Sequence, residues 1–325
     1  MHDRIGWRLV RHLLSAALLL LGAAAPSLAA DKLRIGKANG NGWTFLPADI
    51  GMAEGIFAKL GIELEIHNLA GDAKIQQALI ADAIDFGLGS GPAMAFVAKG
   101  APVVTVAAYA SEPRQIAIIV LPDSPIRTIA DMRGKSLGIS TVGSLTEWLG
   151  AQMAVQEGWG PGAVKTIPLG DNDANLAALR THQIDGMLAA TEYGYLLEEK
   201  KAGRNLMSME KYAPHFHAHV IFARQALADR NPALVERFLK GFFASIAFMK
   251  TNRARTTELA SQLLHESPAI ADKVYEHEIG MLEDDGHFDP QAIAVLKESF
   301  VAMGILPEKP RDEQLFTSRF VPVKP

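Results

Sequence analysis

The chain has 325 residues, of which 49% are hydrophobic, and it contains no cysteine. It therefore forms no disulfide, no thiolate metal site and no lipid-modified N-terminal cysteine. The formal net charge of −4 argues against nucleic acid as a partner, and the length predicts two lobes because one domain usually has ~100 to 200 residues.

Residues 1–30 have the order of parts typical of a secretory signal peptide. Three arginines precede the apolar run LLSAALLLLGAAA, and small residues ending in Ala29 and Ala30 follow. The apolar run is shorter than the ~20 residues that a membrane-spanning helix needs, although an uncleaved anchor is the alternative. We expect cleavage after Ala29 or Ala30 and export to a periplasm with no lipid anchor.

Strands and helices alternate in the first half of the mature chain. A helix opened by Pro47 lies between two segments with strand patterns, LRIGKA and IELEIHNLA. The remaining predicted elements are a helix at 73–82, a strand at 84–89, a helix at 92–98 and a strand at 102–110. This order is typical of βαβ units and a largely parallel sheet, so the fold class is α/β.

The same alternation then repeats. Strands are predicted at 135–140, 164–169 and 184–190, with helices between them. The segments ALIADAIDFG at 78–87 and ALRTHQIDGM at 178–187 share Ala-Leu and Ile-Asp at an offset of one hundred residues. Each shared pair would end a helix and begin the next buried strand, which indicates a duplicated lobe.

The last third of the chain is predicted to be helical. After a strand at 215–223, Asn231 and Pro232 provide a capping residue and a first helical position. Helices are expected at 231–252, 254–265, 268–283 and 289–303. With no further strands to cover, this helical region should pack on the first lobe.

Three segments carry a family resemblance: WTFLPADIGMAEGIFAKLGIELEIHNLAG (43–71), QQALIADAIDFGLGSGPAM (76–94) and PIRTIADMRGKSLGIS (125–140). In this order they resemble the substrate-binding proteins of nitrate, sulfonate and taurine ABC importers, a family that includes binding proteins for thiamine-precursor pyrimidines. The resemblance implies a type II periplasmic-binding-protein fold, in which two α/β lobes are joined by two crossover segments. It also implies hinge closure around a ligand, which an ABC permease and its ATPase then recognise.

The resemblance sets the expected domain boundaries. The signal peptide would occupy 1–30, lobe I the discontinuous segments 31–112 and 219–325, and lobe II the segment 113–218. The crossovers would lie near 110–117 and 217–222, and the protein would be a monomer.

Ligands of open parallel sheets bind at the carboxyl ends of the strands. The first such loop contributes the candidates Asn41, Gly42, Trp43 and Thr44, with Trp43 offering a flat face for stacking; burial of Trp43 in the core is the alternative. Ser90 and Gly91 follow the third strand and could donate to an anion or a carbonyl oxygen.

A third loop opens a helix in the second lobe. Thr141, Gly143, Ser144 and Thr146 could form an anion cradle from hydroxyls and helix N-terminal amides, although Ser144 could also act only as an N-cap.

Further candidates lie at a fourth loop and at the crossovers. Thr191 and Glu192 follow the last strand of the second lobe, where Glu192 could accept from an amine or serve only as a first-turn acid of the helix. Tyr109 and Ser111 end the fourth strand at the first crossover and complete the candidate wall.

Histidines 215, 217 and 219 alternate and would share one face of a strand, a spacing that can bind metal. We instead expect His217 to contact the ligand, with no metal and no cofactor.

These features predict a binding protein for a small organic anion, a zwitterion or a heteroaromatic precursor. A periplasmic sensor subunit with the same binding chemistry is the alternative. The fungal thiamine-pyrimidine synthases that share the fold are enzymes with a cysteine-rich motif, which this chain lacks. We therefore expect no catalytic residue.

Overall fold

The computed structural model describes residues 30–40 and 42–324, which form two five-stranded sheets flanked by helices. The strands are β1 (Asp31–Lys37), β2 (Ile62–Asn68), β3 (Phe86–Ser90), β4 (Val103–Ala110), β5 (Ile116–Val120), β6 (Ser136–Ile139), β7 (Lys165–Pro168), β8 (Gly186–Ala190), β9 (Arg204–Ser208) and β10 (His219–Arg224).

Helices follow most of the strands and fill the last third of the chain. They are α1 (Leu46–Ala53), α2 (Ile56–Lys59), α3 (Asp72–Ile80), α4 (Met94–Ala98), α5 (Leu145–Gln156), α6 (Asn172–Arg180), α7 (Thr191–Glu199), α8 (Gln225–Arg230), α9 (Pro232–Thr251), α10 (Arg253–Leu264), α11 (Pro268–Glu278) and α12 (Pro290–Ala302).

Both sheets have the same topology. The first has the order β2-β1-β3-β10-β4 and the second the order β7-β6-β8-β5-β9. In each sheet one strand that arrives from a crossover, β10 or β5, runs antiparallel to its two neighbours. The chain passes from the first sheet to the second at 111–115 and returns at 209–218. The predicted α/β class, with mainly parallel sheets and two crossovers, is confirmed.

The offset of one hundred residues has a structural counterpart. Asp85 precedes β3 and its Oδ2 accepts a hydrogen bond from the main-chain N–H of Arg34 on β1, at 2.8 Å. Asp185 precedes β8 and its Oδ2 accepts from the main-chain N–H of Ser136 on β6, at 2.9 Å. The Ile-Asp pairs therefore occupy equivalent positions, in agreement with a duplicated unit.

The C-terminal helices pack on the first sheet, as predicted. Phe238 of α9 stacks on Phe86 of β3, with 4.0 Å between ring centroids, and on Phe57 of α2, at 5.9 Å. Both Phe86 and Phe238 are fully buried. Burial of such aromatic faces contributes to the packing of these helices on the first unit.

Four elements differ from the sequence prediction. Strands β5 and β9 were not expected, although IAIIV of β5 is completely buried. The strand expected at 215–223 begins only at His219, because His215 has a left-handed φ of 50°. The helix expected to reach residue 283 ends at Glu278.

Within residues 30–40 and 42–324, no helix is both long and apolar enough to cross a membrane. The predicted signal peptide lies, up to residue 29, outside the described residues.

Candidate functional site

A cavity of about 260 Å³ lies between the two sheets. Its walls come from the loops at the carboxyl ends of six strands, β1, β2 and β3 of the first sheet and β6, β7 and β8 of the second. The volume is close to the lower end of the ~300 to 1,000 Å³ that is common for small-ligand sites. The cavity is therefore the candidate ligand site, and its size suits one small molecule.

Part of the lining of the cavity is apolar. Phe45 contributes to it from the side of the first sheet, and Ile116, Leu145 and Leu188 contribute from the side of the second. The ring of Phe45 meets the His219 ring at 4.7 Å between centroids, with 60° between the planes. These side chains can cover the flat or apolar body of a ligand.

The lining of the cavity also contains the buried carboxylate of Asp72. Asp72 begins α3, and its oxygens accept from the main-chain N–H of Ser90 at 2.7 Å and from the Ser90 hydroxyl at 2.9 Å. The main-chain N–H of Leu145, at the start of α5, adds a hydrogen bond from the second sheet's side. Burial raises the pKa of Asp72 to about 6, so the group is mainly ionised at neutral pH.

Several polar groups of the loop at 140–146 form hydrogen bonds within the loop and the first turn of α5. The Ser144 hydroxyl accepts from the main-chain N–H of Glu147 at 3.3 Å and caps α5, and Glu147 in turn accepts from the N–H of Gly143 at 2.7 Å. The hydroxyl of Thr146 meets that of Ser144 at 2.9 Å. Since Asp72 already faces the N-terminus of α5, the expected anion cradle is occupied by a carboxylate of the protein itself.

Gln115 and His219 form a fixed pair at the two crossovers. Nδ1 of His219 lies 3.3 Å from the carbonyl oxygen of Gly89, and Nε2 lies 2.8 Å from Nε2 of Gln115. Because a carbonyl can only accept, Nδ1 carries the proton and Nε2 accepts from the Gln115 amide. Burial lowers the pKa of His219 to about 4, so the ring is neutral.

Four buried polar atoms of the lining residues have no hydrogen-bond partner within the protein. They are Oγ1 of Thr44, Oε1 of Gln115, Nδ2 of Asn172 and Oδ1 of Asn175. The two amide oxygens can only accept, whereas Asn172 donates. Oδ1 of Asn175 packs against Gly138 of β6, where a Cβ atom would lie 2.1 Å from it. Because unpaired buried polar atoms are costly, the other three atoms are candidate contacts for a ligand or for water.

A family comparison gives the identity of the fold. The family described as NMT1/THI5 like matches residues 45–255, which is more than half of the chain. The chain belongs to this NMT1/THI5-like family. The same comparison agrees with the resemblance to nitrate, sulfonate and taurine substrate-binding proteins noted from the sequence.

Solved structures share the architecture of this NMT1/THI5-like protein. The alkanesulfonate-binding protein SsuA from Xanthomonas axonopodis pv. citri, bound to MOPS, is 18% identical, with a TM-score of 0.74 over 89% of this chain and 97% of that one. The periplasmic nitrate-binding protein NrtA from Synechocystis PCC 6803 is 13% identical, with a TM-score of 0.66 over 86% and 83%. At these identities the similarity establishes the fold.

A curated relative is described as a putative thiamine biosynthesis protein from Haemophilus influenzae. It is 24% identical over 195 residues, which cover 56% of this chain. The match spans 58% of that relative's own length.

The structure places four of the predicted site residues in the lining of the cavity: Gly42, Thr44, Ser90 and Thr146. Asn41 lies outside the described residues. Gly91 contacts the chain at the second crossover instead, where a Cβ atom would meet the carbonyl oxygen of His217 at 2.1 Å.

Trp43, Tyr109 and Ser111 lie behind the lining. Trp43 is fully buried and meets Tyr275 edge to face at 6.0 Å, because the short 3-10 helix at 43–45 turns Trp43 inward and Phe45 toward the cavity. Tyr109 stacks on His219 at 5.6 Å and supports it from behind. The Ser111 hydroxyl donates to the carbonyl of Met281.

Thr141, Gly143 and Ser144 join the two sides of the interface or cap α5 and do not line the cavity. The Thr141 hydroxyl accepts from the main-chain N–H of Ala73 at 3.3 Å, across the interface. Thr191 and Glu192 also lie at a contact between the two sides, away from the cavity.

His217 is displaced from its predicted role by the late start of β10. Its Nε2 accepts from the main-chain N–H of Asp289, and its exposed fraction is only 3%. His219 occupies the cavity wall instead. Within the described ranges, no group of three or more acids and histidines could hold a metal ion.

Sequence reasoning missed the loops after β2 and β7. They bring Asn68 and Asp72 to one side of the cavity, and Asp171, Asn172 and Asn175 to the other. A Gly-Asp pair follows the strand in both loops, at Gly71-Asp72 and Gly170-Asp171. Applying the rule for strand ends to every strand, together with this repeated pair, would have identified both loops.

Proposed function

We propose that the chain is a periplasmic solute-binding protein that captures a small, nitrogen-bearing heteroaromatic molecule and delivers it to an ABC importer. In this proposal 31–112 and 219–325 form lobe I, 113–218 forms lobe II, and the lobes close around the ligand. Of the solved structures named above, one is described as an alkanesulfonate-binding protein and the other as a periplasmic nitrate-binding protein. Their fold, shared over most of the chain, supports a binding role without catalysis.

The proposed class of ligand rests mainly on the charge of the residues that line the cavity. Among the described lining residues there are three aspartates, Asp72, Asp171 and Asp173, and no lysine or arginine. His219 is neutral, because burial lowers its pKa to about 4. A sulfonate, a carboxylate or nitrate needs cationic or free amide donors, so the cavity favours a neutral or cationic ligand.

The unpaired polar atoms of the lining residues further restrict the class of ligand that the cavity would bind. Oε1 of Gln115 is a buried acceptor of a lining residue that has no partner within the protein, so it can accept from an N–H or O–H group of the ligand. Nδ2 of Asn172 offers a donor to a ring nitrogen, while Phe45 and Leu188 can cover a flat ring. An aminopyrimidine combines these features, and the description of the Haemophilus influenzae relative as a putative thiamine biosynthesis protein points in the same direction.

The test is a thermal-shift comparison on the mature chain from residue 31. A hydroxymethyl-substituted aminopyrimidine should raise the melting temperature, because at a hundredfold excess over its Kd a ligand adds ~2.7 kcal/mol to the stability of the folded state. Its analogue with oxygen in place of the exocyclic amino group should bind more weakly. Taurine and nitrate should give no shift.

Each outcome of this comparison is informative. A shift with taurine or nitrate, and none with the aminopyrimidine, would overturn the ligand class but leave the binding role in place. A reaction product formed from any compound of the panel, detected by mass spectrometry, would overturn the binding role itself.

A further inference from the structure

Three buried glutamates lie at a second contact between the two sides of the molecule, outside the ligand cavity. Glu192 begins α7 and its Oε1 accepts from the main-chain N–H of Trp43 at 2.8 Å. Glu278 ends α11 and its Oε1 accepts from the Thr191 hydroxyl at 2.6 Å. Glu266, in the turn before α11, is the third, and the exposed fractions of Glu192, Glu266 and Glu278 are 3%, 9% and 0%.

Both hydrogen bonds cross between the proposed lobes. Thr191 and Glu192 belong to the segment 113–218, whereas Trp43 and Glu278 belong to the segments assigned to lobe I. Opening of the cleft would separate these partners and admit water to the carboxyl groups. The environment of the three glutamates therefore differs between the closed and the open protein.

The carboxyl groups face one another with little compensation by positive charge. Oε1 of Glu266 and Oε2 of Glu278 have no hydrogen-bond partner within the protein. Among the described residues, no lysine or arginine lies within ion-pair distance of the three glutamates. The charged or titratable groups around them include Asp173 and Arg180 of α6 and His265 beside Glu266. On or after α7 they include Tyr193, Tyr195, Glu198, Glu199 and Lys200. From α11, the ammonium of Lys273 lies 3.6 Å from the centre of the Tyr195 ring.

Burial favours the protonated form of each group in the closed protein. It raises the pKa of Glu192 to about 7 and, together with the charge of Glu192, that of Glu266 to about 8. Burial and the neighbouring Glu192 raise the pKa of Glu278 well above its usual range. In water a glutamate has a pKa of ~4.3, so opening releases protons at neutral pH.

We propose that Glu192, Glu266 and Glu278 form a proton-operated latch that holds the two lobes closed when they are protonated and releases them when they ionise. The proposal rests on the two-lobe division of the proposed function but not on the ligand class. Because the closed state binds the additional protons, its stabilisation is complete at low pH and is lost as pH rises through about 7 to about 8.

Other titrating groups at the interface act outside this range. Asp72, which contacts Leu145 of the opposite side, has its pKa raised only to about 6, so it is mainly ionised at the lower end of the range. His217 and His219 have pKa values lowered to about 4 and remain neutral throughout.

The experiment is small-angle X-ray scattering of the mature chain without ligand, at about pH 6.5 and about pH 9. The radius of gyration should increase at the higher pH in the wild-type protein. In the double variant Glu192→Gln/Glu278→Gln the increase should be much smaller, because glutamine keeps the acceptor oxygens for Trp43 and Thr191 but cannot ionise, and only Glu266 of the three groups still titrates. Circular dichroism at both pH values establishes that each protein is folded.

The matched control is Glu63→Gln/Glu258→Gln, which removes two exposed charges and should open like the wild type. A radius of gyration that is the same at both pH values in the wild type would overturn the latch. So would an equal increase in the Glu192→Gln/Glu278→Gln variant. Neither result depends on whether an aminopyrimidine binds, so the latch and the proposed function can fail separately.

Discussion

The side-chain amide nitrogen of Gln115 lies 2.8 Å from Nε2 of His219, so each crossover between the two sheets contributes one member of the pair. The carbonyl of Gly89 fixes the tautomer of His219, and His219 in turn fixes the rotation of the Gln115 amide. The consequence is that Oε1 of Gln115 remains unpaired and buried at the cavity. The pair therefore fixes the orientation of the Gln115 amide: its nitrogen is bound to His219, and its oxygen is left as the free acceptor.

Replacing Gln115 with methionine should therefore weaken binding of an aminopyrimidine by ~10- to 100-fold, because a buried hydrogen bond to the ligand is worth ~1.5 to 3 kcal/mol when its partner is left unpaired. Isothermal titration calorimetry near neutral pH measures this change. The control is Gln225→Met on α8, whose amide contacts only the neighbouring Asp229. An unchanged Kd in Gln115→Met would show that the amide does not contact the ligand.

Asp85 and Asp185 occupy equivalent positions in the two sheets, so the effects of the same substitution at each on the free energy of unfolding can be compared. Asp85 is buried between the guanidinium groups of Arg34 and Arg224, which lower its pKa, whereas Asp185 has only Lys135 at 3.6 Å in addition to Ser136. Asp85→Asn should cost about 2 to 3 kcal/mol of unfolding free energy, since it removes the buried carboxylate that Arg34 and Arg224 share and leaves them only the exposed carboxylate of Asp82. Asp185→Asn should cost about 1 kcal/mol. Chemical denaturation of both variants checks the order.

The pH dependence of the Asp85 effect has a defined sign. A pKa that is lowered in the folded protein stabilises it at pH values above the ordinary ~3.9 of aspartate, and this stabilisation is lost as pH falls through the folded value. The difference in stability between wild type and Asp85→Asn should thus shrink as the pH falls below the ordinary pKa of aspartate. A difference that stays constant with pH would mean that the charge of Asp85 contributes nothing.

The order of the elements could be predicted from the sequence, because period-two strands and glycine-rich breaks recur along both halves of the chain. β5 was missed because IAIIV at 116–120 is apolar at every position and has no alternation. The start of β10 was set too early because the alternating histidines suggest a strand, while the backbone at His215 is left-handed. Such a conformation in a non-glycine residue has no periodic signal.

The site was harder to predict because two separate units contribute to it. Which side chain of the segment 43–45 faces the cavity depends on one turn of 3-10 helix, and periodicity gives no direction for so short an element. The rule for strand ends pointed to the loops after β1, β3 and β6, which contribute to the lining, but it could not show that Asp72 of one unit occupies the helix N-terminus at Leu145 of the other. That contact exists only between the assembled units.

Gly71 tests whether the two sides must approach closely for binding. Its φ is 127°, and a Cβ atom there would lie 2.4 Å from Cγ2 of Thr141 on the opposite side. Gly71→Ala should therefore hinder closure and weaken ligand binding by ~10-fold or more, since closure brings the two walls of the site together. Calorimetry with the aminopyrimidine measures the loss.

Two further variants separate steric hindrance from backbone strain. Adding Thr141→Ala to Gly71→Ala should restore part of the affinity, because it removes the group that the new methyl meets. Gly55→Ala introduces an alanine at a φ of 67° with nothing within 4 Å of its Cβ, so it should leave affinity unchanged. If Gly55→Ala reduces affinity as strongly as Gly71→Ala, strain and not closure explains the effect.

Variants of Trp43 test whether its indole packs in the core or stacks on the ligand. Its indole is fully buried against Tyr275 and does not line the cavity, and its Nε1 is unpaired. Trp43→Ala should lower the free energy of unfolding by ~3 to 5 kcal/mol, as for other large aromatic residues in protein cores. Trp43→Phe should cost only ~1 kcal/mol, because the ring remains and a buried unpaired N–H is removed.

The Kd of Trp43→Phe for the aminopyrimidine should remain within about threefold of the wild-type Kd. This is smaller than a tenfold change, which corresponds to ~1.4 kcal/mol of binding free energy. Phe45→Leu is the contrasting variant, because Phe45 lines the cavity and its loss should weaken binding with a smaller effect on stability. If Trp43→Phe instead loses tenfold in affinity at unchanged melting temperature, the indole contacts the ligand in the closed protein. The aromatic wall would then be built from Trp43, and the assignment of Phe45 to that wall would be wrong.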